Sequence, residues 1–92
     1  MIVPILSLFS CADSNDICGT WRWEDGTTSQ YLENGTQIGQ RGLVMNWEIN
    51  DRYLTIKNNY YTLVYEILEL SDKRIVLKDM ASGKKHFGVK IH

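Results

Sequence analysis

The chain has 92 residues, of which 43% are hydrophobic and 23% charged, and its formal net charge is −1. A chain this short supports one domain with a single modest core, and its composition is that of a folded protein rather than a disordered one. The near-neutral charge gives no overall reason to expect nucleic-acid binding, which normally requires an excess of lysine and arginine.

The first nine residues contain seven apolar side chains and lead to a cysteine. This run is too short to span a bilayer as a helix, which takes about 20 residues, and it is typical of the apolar part of a signal peptide. Leu8-Phe9-Ser10-Cys11 resembles a bacterial lipobox. The resemblance implies that residues 1–16 are a signal, lipobox and tether, with Cys11 anchored by lipid in the outer membrane or periplasm. Two alternatives stay open, which are a Cys11–Cys18 disulfide in an exported protein and a plain N-terminal strand.

From Cys18 onward, short β-rich runs alternate with turn signals, and no stretch shows sustained apolar residues at helical spacing. The dipeptides between the runs, such as Asp25-Gly26 and Asn34-Gly35, tolerate the positive φ of tight hairpin turns. Residues 17–92 are therefore predicted to form one all-β domain, an antiparallel up-and-down meander of seven or eight short strands. Closure into a barrel is favoured over a sandwich because it removes the exposed edges. The predicted runs are Cys18 to Glu24, Thr27 to Glu33, Thr36 to Gln40, Leu43 to Ile49, Tyr53 to Lys57, Tyr60 to Leu70, Arg74 to Met80 and Lys84 to Ile91.

Alternation along these runs predicts one apolar and one polar face. The residues predicted to point inward are Trp21, Trp23, Tyr31, Met45, Trp47, Ile49, Leu54, Ile56, Leu63, Tyr65, Ile67, Ile75, Leu77, Phe87, Val89 and Ile91. Those predicted to point outward are Arg22, Glu24, Glu48, Glu66, Lys78, His86 and Lys90.

Several segments together resemble the small bacterial lipocalin-like domains. Ile17-Cys18-Gly19-Thr20-Trp21 is similar to the opening Gly-x-Trp strand of lipocalins, and residues 31–36, 46–56 and 65–77 are similar to hairpins of the small bacterial members. The resemblance covers residues 17–91. It implies an exported barrel, often lipid-anchored, with Trp21 closing one end. Because the chain is shorter than a full-length lipocalin, a roomy ligand cavity is not expected.

Catalytic motifs are absent from the sequence, including the nucleotide-binding loops, His-Glu-x-x-His and Gly-x-Ser-x-Gly. His86 and His92 share an outward parity six residues apart, which is farther than two ligands of one metal usually lie. Glu24, Asp25 and Glu33 could pair as carboxylates, although acids near turns are more often solvated caps. The sequence therefore predicts a protein that is not an enzyme, with no metal and no cofactor.

Two functions of different kinds fit these features. The first is an envelope lipoprotein that binds a small apolar or amphipathic ligand at the barrel mouth. The second is a protein-interaction module with a filled core, such as an envelope inhibitor, an immunity protein or a subunit of an outer-membrane complex, which would use Tyr60 and Tyr61. A void of about 300 Å³ or more would favour the ligand. The side chains that could line such a pocket are Trp23, Tyr31, Trp47, Tyr65 and Phe87.

The basic residues are concentrated near the C-terminal end of the sequence. They are interpreted mainly as the solvated face of a terminal hairpin, because alternating strands must place polar residues outward. A small anion-binding patch around Lys84, Lys85 and Lys90 is the alternative.

Overall fold

The structure, a computed structural model, describes residues 17–92. These residues form eight strands and no helix, and each strand pairs antiparallel with the next along the chain. Pairing of the first strand with the last closes the sheet into a barrel, in which Trp23 lies opposite Gly88. The strands are β1 (Gly19–Trp23), β2 (Thr28–Tyr31), β3 (Thr36–Ile38), β4 (Val44–Asn50), β5 (Tyr53–Lys57), β6 (Thr62–Leu70), β7 (Arg74–Asp79) and β8 (Lys85–Lys90).

The predicted meander is confirmed, since one strand lies along each predicted run, with β4 extending one residue beyond its run. Its hairpins turn where the sequence places residues that tolerate positive φ. Gly35 has φ of 89°, and its N–H donates a hydrogen bond to the carbonyl oxygen of Leu32 at 3.1 Å. Asp51, in the two-residue turn between β4 and β5, has φ of 62°. Local turn chemistry therefore accounts for the strand order along the chain.

The two ends of the barrel differ in their connections. In an up-and-down barrel, alternate turns lie at the same end. Residues 24–27, 39–43, 58–61 and 80–84 form the four turns of what we call the cavity end. Residues 32–35, 51–52 and 71–73 form the turns of the opposite end, called the packed end, where β1 begins and β8 stops.

The packed end is filled by side chains with almost no exposed surface. Trp21, Leu54 and Ile75 are 0% exposed, and Ile17 is 1% exposed. The Trp21 indole Nε1–H donates a hydrogen bond to the carbonyl oxygen of Ile17 at 2.7 Å, so its polar atom is satisfied although it is buried. This end is closed by a well-packed core.

The last strand faces the opposite way from the prediction. Phe87 and Val89 are 48% and 56% exposed and point outward, whereas Gly88 is buried. His86 and Lys90 share the inward side with Gly88, so the prediction that they point outward was wrong. The physical reason is the space at Gly88, because the side chains of Trp23 and Ile75 occupy the volume that a larger residue there would need.

Ile49, also predicted to point inward, lies on the predicted face of its strand but is not buried. Ile49 alternates with Met45 and Trp47 along β4, but it is 39% exposed. It is the next-to-last residue of β4, beyond the part of the strand that pairs with β3, so it has a neighbouring strand on one side only. Its cross-strand partner Leu54 is fully buried.

Candidate functional site

A cavity of about 180 Å³ lies inside the barrel and opens at the cavity end. Its lining combines apolar and polar side chains from strands all around the barrel. The apolar and aromatic lining residues are Trp23, Tyr31, Met45, Ile56, Leu63 and Leu77. The polar lining residues are Asp25, Thr27, Ser29, Gln37, Tyr65 and His86, and Tyr65 adds an aromatic ring as well as a hydroxyl.

Three of the five predicted pocket aromatics line this cavity, namely Trp23, Tyr31 and Tyr65. Trp47 does not line it. Its indole Nε1–H donates a hydrogen bond to the carbonyl oxygen of Leu32 at 2.9 Å, and its ring meets the Tyr31 ring edge-on at 5.8 Å. Phe87 is on the outer surface. Trp47 therefore supports the wall behind Tyr31 rather than the cavity itself.

The inner wall of the cavity carries a buried polar pair, Tyr31 and Gln37, which are 2% and 8% exposed. Burial raises the pKa of the Tyr31 phenol far above its usual value, and the hydrogen bond with Gln37 offsets only part of this effect. The phenol is therefore neutral at physiological pH and retains its proton. These two side chains place hydrogen-bonding groups deep in the cavity.

Three rings and a hydroxyl form the middle of the cavity wall. The Trp23 indole Nε1–H donates a hydrogen bond to Ser29 Oγ at 3.0 Å, which fixes the indole. The Tyr65 ring meets the His86 ring edge-on, with centroids 6.0 Å apart. Burial raises the pKa of the Tyr65 phenol, and the nearby Asp79 carboxylate adds to the shift, so Tyr65 is also neutral.

The mouth carries carboxylates. Asp25 Oδ1 accepts hydrogen bonds from the Thr27 N–H at 2.9 Å and from Thr27 Oγ1 at 2.6 Å. These hydrogen bonds lower the pKa of the Asp25 carboxyl, so it is ionised at neutral pH. Glu24 Oε1 accepts from the Phe87 N–H at 3.0 Å, and its other oxygen lies 3.7 Å from His86 Nδ1.

The predicted clusters of charged residues are only partly formed. Glu24 and Asp25 share the β1–β2 turn at the cavity end, but Glu33 is in the β2–β3 turn at the packed end, so the three acids do not meet. Lys84 and Lys85 are at the cavity end, whereas Lys90 is at the packed end with Nζ 5.1 Å from the centroid of the Trp21 ring. The three lysines therefore do not form one anion-binding patch.

The remaining predictions concern the cysteines and the exposed tyrosines. Cys11, the predicted lipid anchor, lies outside the described residues, as does the whole predicted signal and tether of residues 1–16. Cys18 is 8% exposed and is disulfide-bonded rather than a free thiol. Tyr60 and Tyr61, in the β5–β6 turn at the cavity end, are 87% and 48% exposed.

Sequence reasoning missed the polar lining of the cavity. Ser29 is two residues before Tyr31 on β2, and Gln37 is the cross-strand partner of Tyr31 on β3. Both therefore share the inward face of Tyr31, which is the signal that could have identified them. His86 was assigned to the wrong face. Within residues 17–92, no group of three or more His, Cys, Asp or Glu side chains is placed to hold a metal ion. No helix in the same part of the chain is long and apolar enough to cross a membrane.

The fold and the cavity define a small closed antiparallel β-barrel of eight strands with one packed end and one open end. Comparison with models of known protein families, with curated proteins and with solved structures finds no match to this chain.

Proposed function

We propose that this protein binds a small amphipathic molecule in the cavity and does not catalyse a reaction on it. The observation that carries this proposal is the contrast between the two barrel ends. One end is filled with fully buried side chains, and the other holds a cavity with apolar walls and a polar mouth. Ligand sites in proteins combine these features, with apolar walls for affinity and a few polar groups for orientation.

The cavity size limits the ligand. A dry cavity of about 150 Å³ is large enough for benzene, whereas sites for drug-sized molecules measure about 300 to 1,000 Å³. At about 180 Å³, the cavity is smaller than the void of about 300 Å³ that would favour a ligand on the sequence-based criterion. The proposed ligand is therefore about the size of a single substituted ring, or a larger molecule of which only one end enters.

The state of the polar groups at the mouth favours binding over catalysis. The His86 ring is 3.7 Å from the Glu24 carboxylate, which is longer than a hydrogen bond. Glu24 and Asp25 both accept hydrogen bonds from backbone N–H groups, which gives each a structural task. Acid–base catalysis requires a positioned donor and acceptor within hydrogen-bond reach, and His86 and Glu24 are not within that reach of each other.

A cavity-filling substitution tests the proposal. Leu63 is half-buried in the cavity wall, and the next residue, Val64, is 37% exposed on the outer face. Leu63→Trp is expected to weaken binding of 2-phenylethanol by about tenfold or more, because the added ring takes up the space that the ligand needs. The matched control Val64→Trp adds the same ring outside the barrel and is expected to leave binding unchanged.

The measurement is an NMR titration that follows the indole N–H signals of the ¹⁵N-labelled protein. Trp23 lines the cavity, whereas Trp21 and Trp47 do not, and the three indoles donate to different acceptors. The Trp23 signal should shift on addition of 2-phenylethanol while the other two stay in place. Equal binding to both tryptophan variants, or no shift of the Trp23 signal in the parent protein, would contradict the proposal.

A second candidate function is a protein-interaction module, and one observation favours it. Tyr60 exposes 87% of its surface at the cavity end, and tyrosine is enriched in interface hot spots. Under this proposal the β5–β6 turn contacts a partner in the envelope. If Leu63→Trp abolished ligand binding without reducing the protein's biological effect, this second function would be the better explanation.

The location and family of the protein are also proposals. The Gly-x-Trp opening and the hairpin sequences support a lipocalin-like, exported protein, and fully buried Trp21 at the packed end is in keeping with that resemblance. The lipobox-like sequence supports a lipid anchor on Cys11. The disulfide-bonded state of Cys18 supports the alternative of a disulfide in an exported protein. Both alternatives place the protein outside the cytoplasm.

A further inference from the structure

The cavity combines two aromatic rings with a carboxylate at its mouth. Trp23 and Tyr65 line the wall, and Asp25 lines the edge that a ligand must pass. Within residues 17–92, no lysine or arginine side chain lines the cavity. The fixed charge that a bound molecule meets is therefore negative.

The carboxylate is held in place. Both donors of Thr27, its N–H and its hydroxyl, bond to the same oxygen, Asp25 Oδ1, at 2.9 and 2.6 Å. Neither hydrogen bond from Thr27 uses Oδ2, so this oxygen can accept a hydrogen bond from a ligand. Glu24, the preceding residue, adds a second carboxylate at the same end, with one oxygen 3.7 Å from His86 Nδ1.

The aromatic rings of the cavity wall, like the carboxylate at the mouth, favour a cationic ligand. The face of an indole or phenol ring is electron-rich and attracts a cation that lies within about 6 Å of it. Deeper in the cavity, Tyr31 and Gln37 are neutral hydrogen-bonding groups rather than charged ones, so the inner part suits an apolar body with at most one polar substituent.

We propose that the cavity selects a small organic amine in its cationic form, with the ammonium group at the mouth beside Asp25 and an aromatic or apolar body between the Trp23 and Tyr65 rings. This inference rests on the proposed function, since it names the chemical class of the ligand for the same cavity. It excludes anions of the same shape, because they would face the Asp25 carboxylate without a compensating lysine or arginine in the cavity wall.

Three probes of similar shape test the preference, namely phenethylamine, 2-phenylethanol and phenylacetate, which are cationic, neutral and anionic at pH 7.5. Phenethylamine is expected to bind about fivefold more tightly than 2-phenylethanol, a ratio in the range of an exposed ion pair or a cation–π contact. Phenylacetate is expected to bind more weakly than either. The shift of the Trp23 indole N–H signal reports binding of all three.

Asp25→Asn removes the charge but keeps a side-chain oxygen that can accept from Thr27, so the turn is retained. This variant should lose about threefold in affinity for phenethylamine and nothing for 2-phenylethanol. Asp72→Asn is the matched control, because it removes the same charge from an exposed turn at the packed end. It should bind all three probes like the parent.

The possible outcomes separate the two proposals. If phenethylamine and 2-phenylethanol both shift the Trp23 signal with equal affinity, the cavity binds small molecules but the preference for amines is wrong. If Asp25→Asn and Asp72→Asn weaken phenethylamine binding equally, the attraction comes from overall charge and not from this carboxylate, which also overturns the inference. If none of the probes shifts the Trp23 signal, the proposed function itself fails.

Discussion

Gly88 shows how one residue decides the packing inside this barrel. It lies on the inward face of β8, opposite Trp23 on β1. A Cβ atom at this position would lie 2.8 Å from Ile75 Cγ2 and 2.9 Å from Trp23 Cζ3. These distances are far inside van der Waals contact, and both neighbouring groups are packed in the interior. A glycine is required here because of space.

Gly88→Ala is expected to destabilise the protein by about 1 to 3 kcal/mol, the usual effect of adding a methyl group to a packed interior. Gly39→Ala is the matched control. A Cβ at residue 39 would meet only the carbonyl oxygen of Leu43 at 3.8 Å, which is ordinary contact. Its expected effect is within about 0.5 kcal/mol. Urea denaturation of both variants gives the two free energies of unfolding.

Equal stabilities for the two alanine variants would show that the Trp23 side chain does not pack against residue 88. That result would also remove the support for the position of Trp23 in the cavity wall. A large loss in Gly88→Ala with no change in Gly39→Ala is the result that the packing predicts.

At the level of single residues, the sequence predicted aromatic wall residues better than polar ones. Trp23, Tyr31 and Tyr65 were identified because aromatic side chains on an alternating strand are strong candidates for the inside. Ser29 and Gln37 occupy the same faces but are ordinarily found outside, so composition gives no reason to place them in a cavity. Their location depends on the barrel closing, which is a property of all eight strands.

Among the strands, β8 was the one whose orientation could not be deduced from its own residues. The apolar side chains of Phe87 and Val89 predict the buried face, yet the structure places His86, Gly88 and Lys90 on the inward side. The glycine leaves room for residues from other strands, and the lysine lies along the Trp21 ring. A long lysine stem can cover apolar surface while its charged end reaches the solvent, so its polarity is a poor guide to its face.

The exposed apolar residues of β8 are not entirely without partners. Phe87 pairs directly with Val76 on β7. Val76 also points away from the core, but only 7% of it is exposed. The pair forms a small apolar contact on the outer surface. Cross-strand pairs of an aromatic and a β-branched residue stabilise antiparallel sheets by about 0.2 to 1 kcal/mol, which accounts for an apolar residue on the outside of this strand.

Strand β6 shows a second limit of alternation. Its register against β7 shifts between Ile67 and Glu69, and Leu68, at the irregularity, is 43% exposed. After the shift, Leu70 packs against the core and pairs with Ile75. A β-bulge inserts one extra residue and reverses the faces beyond it, so strict alternation from Leu63 would have placed Glu69 inside. The strand itself, however, was predictable from its length and composition.

At the scale of the whole molecule, eight short strands leave an interior only just wide enough for side chains. In this barrel the fully buried side chains of Trp21, Leu54 and Ile75 fill one end. The remaining volume at the other end is the cavity. The turns and the antiparallel meander of seven or eight strands followed from local sequence patterns, but the unequal filling of the two ends depends on how side chains from all strands meet.

The N-terminal proposal also belongs to this scale. If Cys11 carries the lipid anchor, Cys11→Ser should move the protein from the membrane fraction to the soluble fraction, and Cys18→Ser should not. If the two cysteines are joined in a disulfide instead, both variants break the same bond and should fractionate alike. Fractionation with mass spectrometry of the intact protein measures the outcome. Unchanged membrane association of Cys11→Ser would contradict the lipid anchor.

The central claim is that the cavity end of the barrel takes a small molecule inside. The most direct measurement is a set of intermolecular nuclear Overhauser effects between phenethylamine and the isotope-labelled protein. The account predicts effects from the ring protons of the probe to Leu77 and Tyr65, which line the cavity. Effects confined to Tyr60, Tyr61 or Phe87, which are exposed on the surface, would contradict it.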